Sequence, residues 1–365
     1  MVSCQDDEMV DPVDVCDPAG ELTIIDYNPQ PYDLVIPTGF QPVEIPPDNE
    51  LTNDGVLLGR HLFFDPILSA DSTMSCSSCH LQNGAFTDNL KVSTGIDGIA
   101  GVRNSMTLMN LIYNPNGFFW DGRSATLEEQ ALLPVEDPIE MHNNWDDLIE
   151  KLKCHDDYPT MFRRAFGITN KAEITKELAA KAISQFERTL ISSGNSFFAK
   201  AYLRQEDFFS DSELRGFDIF FDTKPELPDG QCGHCHTIPL LTENEFRNNG
   251  LDEAENFEDF ADKGLGAFTG NKFENGKFRT PTLFNWEFNA PYMHDGRFAT
   301  IDEVLDHYIS GIKESPTKDA LMENHDDPTQ IDYIDDNHRA DLLAFLKTLT
   351  DTSFINDPRY SNPFE

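Results

Sequence analysis

The chain has 365 residues, 65 acidic against 27 basic, and a formal net charge of −38. That length suffices for two domains with separate cores. The charge excludes nucleic acid as a partner, because phosphate binding needs Lys and Arg; it suits docking of a basic partner or plain solvation in a saline habitat.

Met1-Val2-Ser3-Cys4 reads as the stub of a bacterial lipoprotein signal, with Cys4 as the lipidated residue. The acidic stretch 5–17 would then be a flexible tether. A short native N-terminus with an incidental Cys is the alternative. Residues 1–48, rich in Pro and Asp, are expected to form a tail that wraps or tethers the body. No apolar run approaches membrane-spanning length.

Helical signals dominate from there. Asn170 and Glu173 form a capping pair ahead of Ile174, Leu178, Ala182, Phe186 and Leu190, which recur at helical spacing. Ser210 and Glu213 cap a run carrying Leu214, Phe217 and Phe221 on one face. Stretches 223–230 and 250–280 read as loops. Thr300 and Glu303 form another capping box, and Leu342, Phe345, Leu346 and Leu349 mark a closing amphipathic helix. Alternating strand patterns are scarce, so the predicted class is mostly α with long irregular loops.

Two segments carry the chemistry: Cys76-Ser77-Ser78-Cys79-His80 and Cys232-Gly233-His234-Cys235-His236. C-x-x-C-H is the attachment motif of c-type haem. Two thiols add to the vinyl groups and the adjacent imidazole reaches the iron. A zinc knuckle is the competing reading. Matching surroundings argue for haem. Phe63-Phe64-Asp65 ends eleven residues before Cys76, and Phe220-Phe221-Asp222 ends ten before Cys232. Thr107-Leu108-Met109-Asn110 recurs as Thr282-Leu283-Phe284-Asn285, and Asp121-Gly122-Arg123 as Asp295-Gly296-Arg297. The expected architecture is two tandem cytochrome c-like haem domains, 49–200 and 201–352, between the tail 1–48 and a C-terminal tail 353–365. Covalent haem implies export to the periplasm or cell envelope. Four haem-linked thiols leave Cys4, Cys16 and Cys154, and Cys16 with Cys154 is one available disulfide.

The repeat separates the two irons. Tyr308 lies thirteen residues after Asp295 and is a candidate sixth ligand of the second iron, against a core Tyr or His307 as ligand. The same offset from Asp121 gives Pro134, which cannot ligate and is expected to end the helix begun at Leu127. Residues 81–141 contain no His; Met106 and Met109 are thioether candidates that would otherwise pack. The first haem is therefore expected to be open on one face. Glu140, six residues beyond Pro134, is the candidate acid–base group, and Gln130 could add a polar contact. For any single Glu in so acidic a chain, a solvated surface carboxylate is the competing reading.

These residues, together with Leu58-Gly59-Arg60-His61, Arg103-Asn104-Ser105, Phe119-Trp120, Glu129-Gln130-Ala131, Glu140-Met141 and Pro291-Tyr292-Met293-His294, resemble the bacterial dihaem cytochrome c peroxidases, and within them the MauG-type enzymes, over residues 36–350. The resemblance implies a peroxidatic haem on His80 with Gln130, Pro134 and Glu140 in its distal pocket. It implies Trp120 as electron relay and an electron-transfer haem on His236. It also implies calcium between the domains, held by the Asn104 side chain and carbonyls of Asn289 and Pro291. Hydrogen peroxide would be the substrate. Electrons would come from a small cytochrome c or other redox protein, or from an oxidisable Trp or Tyr of a partner protein. Ile96 stands where ordinary peroxidases carry a displaceable His, and Tyr308 where they carry Met; both changes match the MauG type. Gly230 stands where MauG itself has an electron-exit Trp, which leaves Trp286 or Tyr292 as other exits. Ordinary peroxide detoxification and a non-catalytic dihaem electron carrier are the competing functions.

Overall fold

The structure, a computed structural model, describes residues 16–192, 194–322 and 334–365. Cys4 and most of the proposed tether lie outside them. Ten α-helices are found among the described residues: α1 (Asn53–Phe64), α2 (Leu127–Glu136), α3 (Trp145–Lys153), α4 (Tyr158–Phe166), α5 (Lys176–Arg188), α6 (Asp211–Phe221), α7 (Leu265–Thr269), α8 (Ile301–Asp306), α9 (Asp336–Lys347) and α10 (Thr352–Ile355). The only strands described are β1 (Phe246–Arg247) and β2 (Phe278–Arg279), paired antiparallel.

Two hydrophobic cores are present, one beside each C-x-x-C-H segment. The first is built on Leu58, Leu62, Phe63, Ile183 and Phe186, with Cys76 packed against it. The second is built on Phe198, Phe217, Phe220, Leu342 and Phe345, with Cys232 packed against it. The repeat seen in the sequence reappears in the helix pairs, α1 on α5 and α6 on α9. Each pair touches at a glycine. A Cβ on Gly59 would stand 1.8 Å from the Ala182 carbonyl oxygen, and one on Gly216 would stand 2.0 Å from that of Asp341. Any side chain there would push the pair apart.

The caps repeat too. Thr126 accepts from the Glu129 amide at 3.1 Å, and Thr300 from the Glu303 amide at 3.3 Å. The two glutamates reach back to the amides of Ala125 and Ala299. The Ser210–Glu213 box opens α6 as expected. Asn170 and Glu173 do form a box, but it opens a single 3₁₀ turn; Thr175 caps α5. Stretch 250–280 is not all loop, since it holds α7 and β2. Pro134 does not end α2, which runs on to Glu136. Proline there gives up its own backbone bond to the Gln130 carbonyl, yet the chain stays helical beyond it and the Asp137 amide still bonds the Leu133 carbonyl at 3.1 Å.

The described part of the N-terminal segment wraps the body. Leu22 is buried in the first core and Phe40 in the second, and Cys16 is bonded to Cys154 in a disulfide. At the other end, Phe354 and Tyr360 return to the first core, where the Arg60 guanidinium donates to the carbonyls of Pro358 and Ser361.

Ala at Gly59 or Gly216 should therefore lower unfolding stability by about 1–3 kcal/mol, as overpacking does. Propensity alone would make the same change stabilising by about 1 kcal/mol. Chemical denaturation of each variant distinguishes the two signs.

Candidate functional site

Two cavities flank one strip of chain. The first is lined by Cys76, Cys79, His80, Gln130, Pro134, Glu140 and Glu187, the second by Cys232, Cys235, His236, Asn289, Pro291, Met293 and Tyr308. Asn104, Ser105, Met106, Thr107, Trp120 and Arg279 line both.

Cys76, Cys79, Cys232 and Cys235 form no disulfide. Each imidazole is turned the same way. His80 Nδ1 lies 2.9 Å from the Phe86 carbonyl oxygen, and His236 Nδ1 lies 3.0 Å from that of Leu241. Phe86 and Leu241 adopt left-handed backbone, with φ of 64° and 52°, which brings the chain back over the ring. A carbonyl at Nδ1 fixes the proton there and leaves the Nε2 lone pair for a metal. Burial holds both imidazoles below their ordinary pKa and so keeps them neutral. Paired thiols, a neutral imidazole and an adjoining cavity fit a covalent haem at each segment.

His80 is the one histidine lining the first cavity. His142 lies outside it, with Nδ1 2.5 Å from Asp97. The loop carrying Ile96 is pinned to the distal wall, its amide donating to the Glu140 carbonyl at 3.0 Å. Glu140 is no surface carboxylate: burial, and secondarily Asp137, push it up to about 7 against an opposing pull from Arg123. The Gln130 Oε1 is buried without a partner. Met106 lines the cavities, whereas Met109 packs in the first core at 3 % exposure.

In the second cavity, α8 passes into a π turn, His307–Gly311. Such turns re-aim side chains and recur at functional sites. Tyr308 faces the cavity and its hydroxyl accepts from Asn249 Nδ2 at 3.2 Å. Burial pushes its phenol up to about 12. His307 is turned away: its Nε2 meets the Asn249 carbonyl at 3.1 Å, and it does not line the cavity. The same Asn249 amide also reaches the Met293 sulfur, at 3.6 Å. Gly230 lines this cavity; a Cβ there would sit 2.9 Å from the Ile219 carbonyl oxygen. Trp286 and Tyr292 both line it, with ring centroids 6.4 Å apart.

Trp120 stands between the cavities. Its indole N–H donates to the Asn104 carbonyl at 2.9 Å and its own carbonyl accepts from the Arg279 amide at 2.9 Å. The Asn104 side chain donates to the Leu90 carbonyl at 2.7 Å, which frees its Oδ1. With Asn289 and Pro291 it lines the second cavity, and an all-oxygen donor set of this kind suits calcium.

Two lining residues have no counterpart in the sequence reading. Glu187 is 4 % exposed, its Oε2 has no partner, and burial lifts it to about 8. Arg279 is also 4 % exposed. Glu187 sits on α5, where its neighbours suggest only a helix face. Arg279 lies in a polar stretch whose pairing with Trp120 is 159 residues long-range, so neither carried a local signal.

A sequence profile described as di-haem cytochrome c peroxidase matches residues 53–207. Methylamine utilization protein MauG of Methylorubrum extorquens is 33% identical over 306 residues, 83% of this chain and 80% of that protein. Cytochrome c551 peroxidase of Nitrosomonas europaea is 30% identical over 316 residues, 85% of this chain and 84% of that protein. The crystal structure of a MauG-like protein associated with microbial copper homeostasis superposes with a TM-score of 0.81 at 34% identity, covering 92% of this chain and all of that one. With two thiol pairs, two oriented imidazoles and relatives matched over most of their length, the chain belongs to the di-haem cytochrome c peroxidase family.

Proposed function

We propose that the chain is a MauG-like dihaem peroxidase. It would reduce hydrogen peroxide at the His80 site and draw electrons through the His236 site. The observation that carries this reading is the asymmetry of the cavities. Pro134 lines the first and Tyr308, at the same offset, lines the second. Haem iron left open on one face binds peroxide, whereas a six-coordinate iron moves electrons.

The balance is H₂O₂ + 2 H⁺ + 2 e⁻ → 2 H₂O. Glu140, held near 7, would take the proton from the bound peroxide and return it to the departing oxygen. Gln130 would accept a hydrogen bond at its unpartnered Oε1. Trp120 would connect the two cavities it lines. An electron carrier would need neither an open cavity nor a tuned carboxyl. Tyr308 as ligand supports the MauG type, since an anionic phenolate favours the oxidised iron; deprotonating so buried a phenol needs a positive charge in the cavity. Calcium on Asn104, Asn289 and Pro291 would brace the strip between the sites.

Electrons would come from a small cytochrome c, another redox protein, or an oxidisable Trp or Tyr of a partner. Trp286 and Tyr292 are the candidate exit where Gly230 removes the usual one. The net charge of −38 favours a basic donor, which also keeps ordinary peroxide detoxification as a second reading. The Cys16–Cys154 disulfide supports an oxidising compartment such as the periplasm.

The resting ferric protein should show a high-spin haem that reacts with peroxide; a wholly low-spin, inert protein would sink the proposal. As Glu140 must start unprotonated, kcat/KM for peroxide should rise as pH increases through about 7. Glu140→Gln should keep both haems, lose that ionisation and lower turnover by about 10²–10⁴-fold. Tyr308→Phe should change the absorption and spin state of the second haem alone; an unaltered spectrum would rule out ligation.

A further inference from the structure

Four arginines line the two cavities: Arg103, Arg123, Arg247 and Arg279. Three are matched by carboxylates. Arg103 bridges Asp121 at 2.5 Å and Asp262 at 2.8 Å. Arg123 pairs with Asp121 at 3.1 Å, and Arg247 with Glu243 at 2.7 Å and Asp319 at 2.9 Å. Arg279 has no carboxylate partner among the described residues, although it is the most buried of the four at 4 % exposure. Its Nη2 donates to the Gly117 carbonyl, its guanidinium lies 5.6 Å from the centroid of the Phe118 ring, and its Nε is buried with no acceptor.

A buried guanidinium in this state is costly, since burial of a charge is tolerated only when it is paired. Burial pulls it down to about 10, and Asp121 is the one charge that opposes this. Asp121 is itself already engaged by Arg103 and Arg123. The counter-charge must therefore come from something that enters the cavities. Each haem carries propionates, which are carboxylates, and a guanidinium binds a carboxylate through two parallel N–H donors.

We infer that Arg279 is the shared anion clamp of the site: it receives a propionate from the haem in one or both cavities and fixes a positive charge beside Trp120. This rests on the reading that both segments hold haem. The backbone supports the placement, because the Arg279 amide is bonded to the Trp120 carbonyl. The clamp and the relay residue thus move together. A fixed positive charge disfavours the ferric state and raises the potential of the iron nearest to it.

The test is spectroelectrochemical titration of the dihaem protein and of Arg279→Gln and Arg279→Lys. With Gln, at least one haem should shift about tenfold toward the oxidised form at fixed potential, a fall of about 59 mV for a one-electron couple. Lys should restore most of the shift. Unchanged potentials in the Gln variant, with both haems attached, overturn the clamp. If the Gln variant fails to mature, native potentials in the Lys variant support it. Failure of the Lys variant as well overturns it, because shape rather than charge would then be the requirement. Absence of covalent haem from the native protein would instead overturn the dihaem reading itself.

Discussion

The hydrogen bond from the Trp120 indole to the Asn104 carbonyl, 2.9 Å long, ties together the strip of chain on which both cavities depend. Asn104, Ser105, Met106 and Thr107 run along that strip and face both sides. The strip is anchored outward by the Asn104 amide on the Leu90 carbonyl and by the Asn104 N–H on the His294 carbonyl at 2.7 Å. His294 follows the Pro291-Tyr292-Met293 run of the second half, while Leu90 belongs to the first. The strip is therefore a seam sewn from both halves. It lies between the two cavities and lines both. Electron transfer between centres needs such fixed proximity, and a wet gap would defeat it.

Around that seam the two halves use one construction twice. A glycine lets one helix of each pair approach the other's backbone, a C-x-x-C-H turn follows, and a left-handed residue returns a carbonyl to the histidine. Gly59 and Gly216 fill the first role, Phe86 and Leu241 the third. The burial that stabilises each core also sets the chemistry. It holds His80 and His236 neutral and lifts Glu140 toward neutrality. One desolvated environment thus shifts imidazoles down and a carboxyl up, each toward its uncharged form.

What the sequence disclosed was local or repeated. The C-x-x-C-H segments, the Thr300 cap and the thirteen-residue offset to Pro134 and Tyr308 are short-range patterns, and repetition made the segments and the offset stand out. The Asn170–Glu173 pair does form a box, but α5 is capped by Thr175, which lies nearer the apolar run. Pro134 does not end α2 as its residue type suggests: it removes a single N–H bond, and the Asp137 amide beyond it still reaches the Leu133 carbonyl. Arg279 and Glu187 were invisible for a different reason. A buried charge is recognised by what surrounds it in space, and nothing adjacent to either residue in the chain reports burial.

The difference between the halves comes from how one helix was altered. In the second half α8 continues into a π turn at His307–Gly311. The widened turn rotates the face that a regular helix would present, so Tyr308 enters the cavity and His307 turns to the Asn249 carbonyl. In the first half the equivalent helix stays α-helical to Glu136, and the position thirteen residues after Asp121 is Pro134, a side chain with no donor atom for a metal. A stronger ligand at Pro134 would have to point into the same space that Glu140 and Gln130 line. On the dihaem peroxidase reading proposed above, a ligand at that position and the Glu140–Gln130 pair would compete for one volume, and a proline there would leave it to the buried carboxyl.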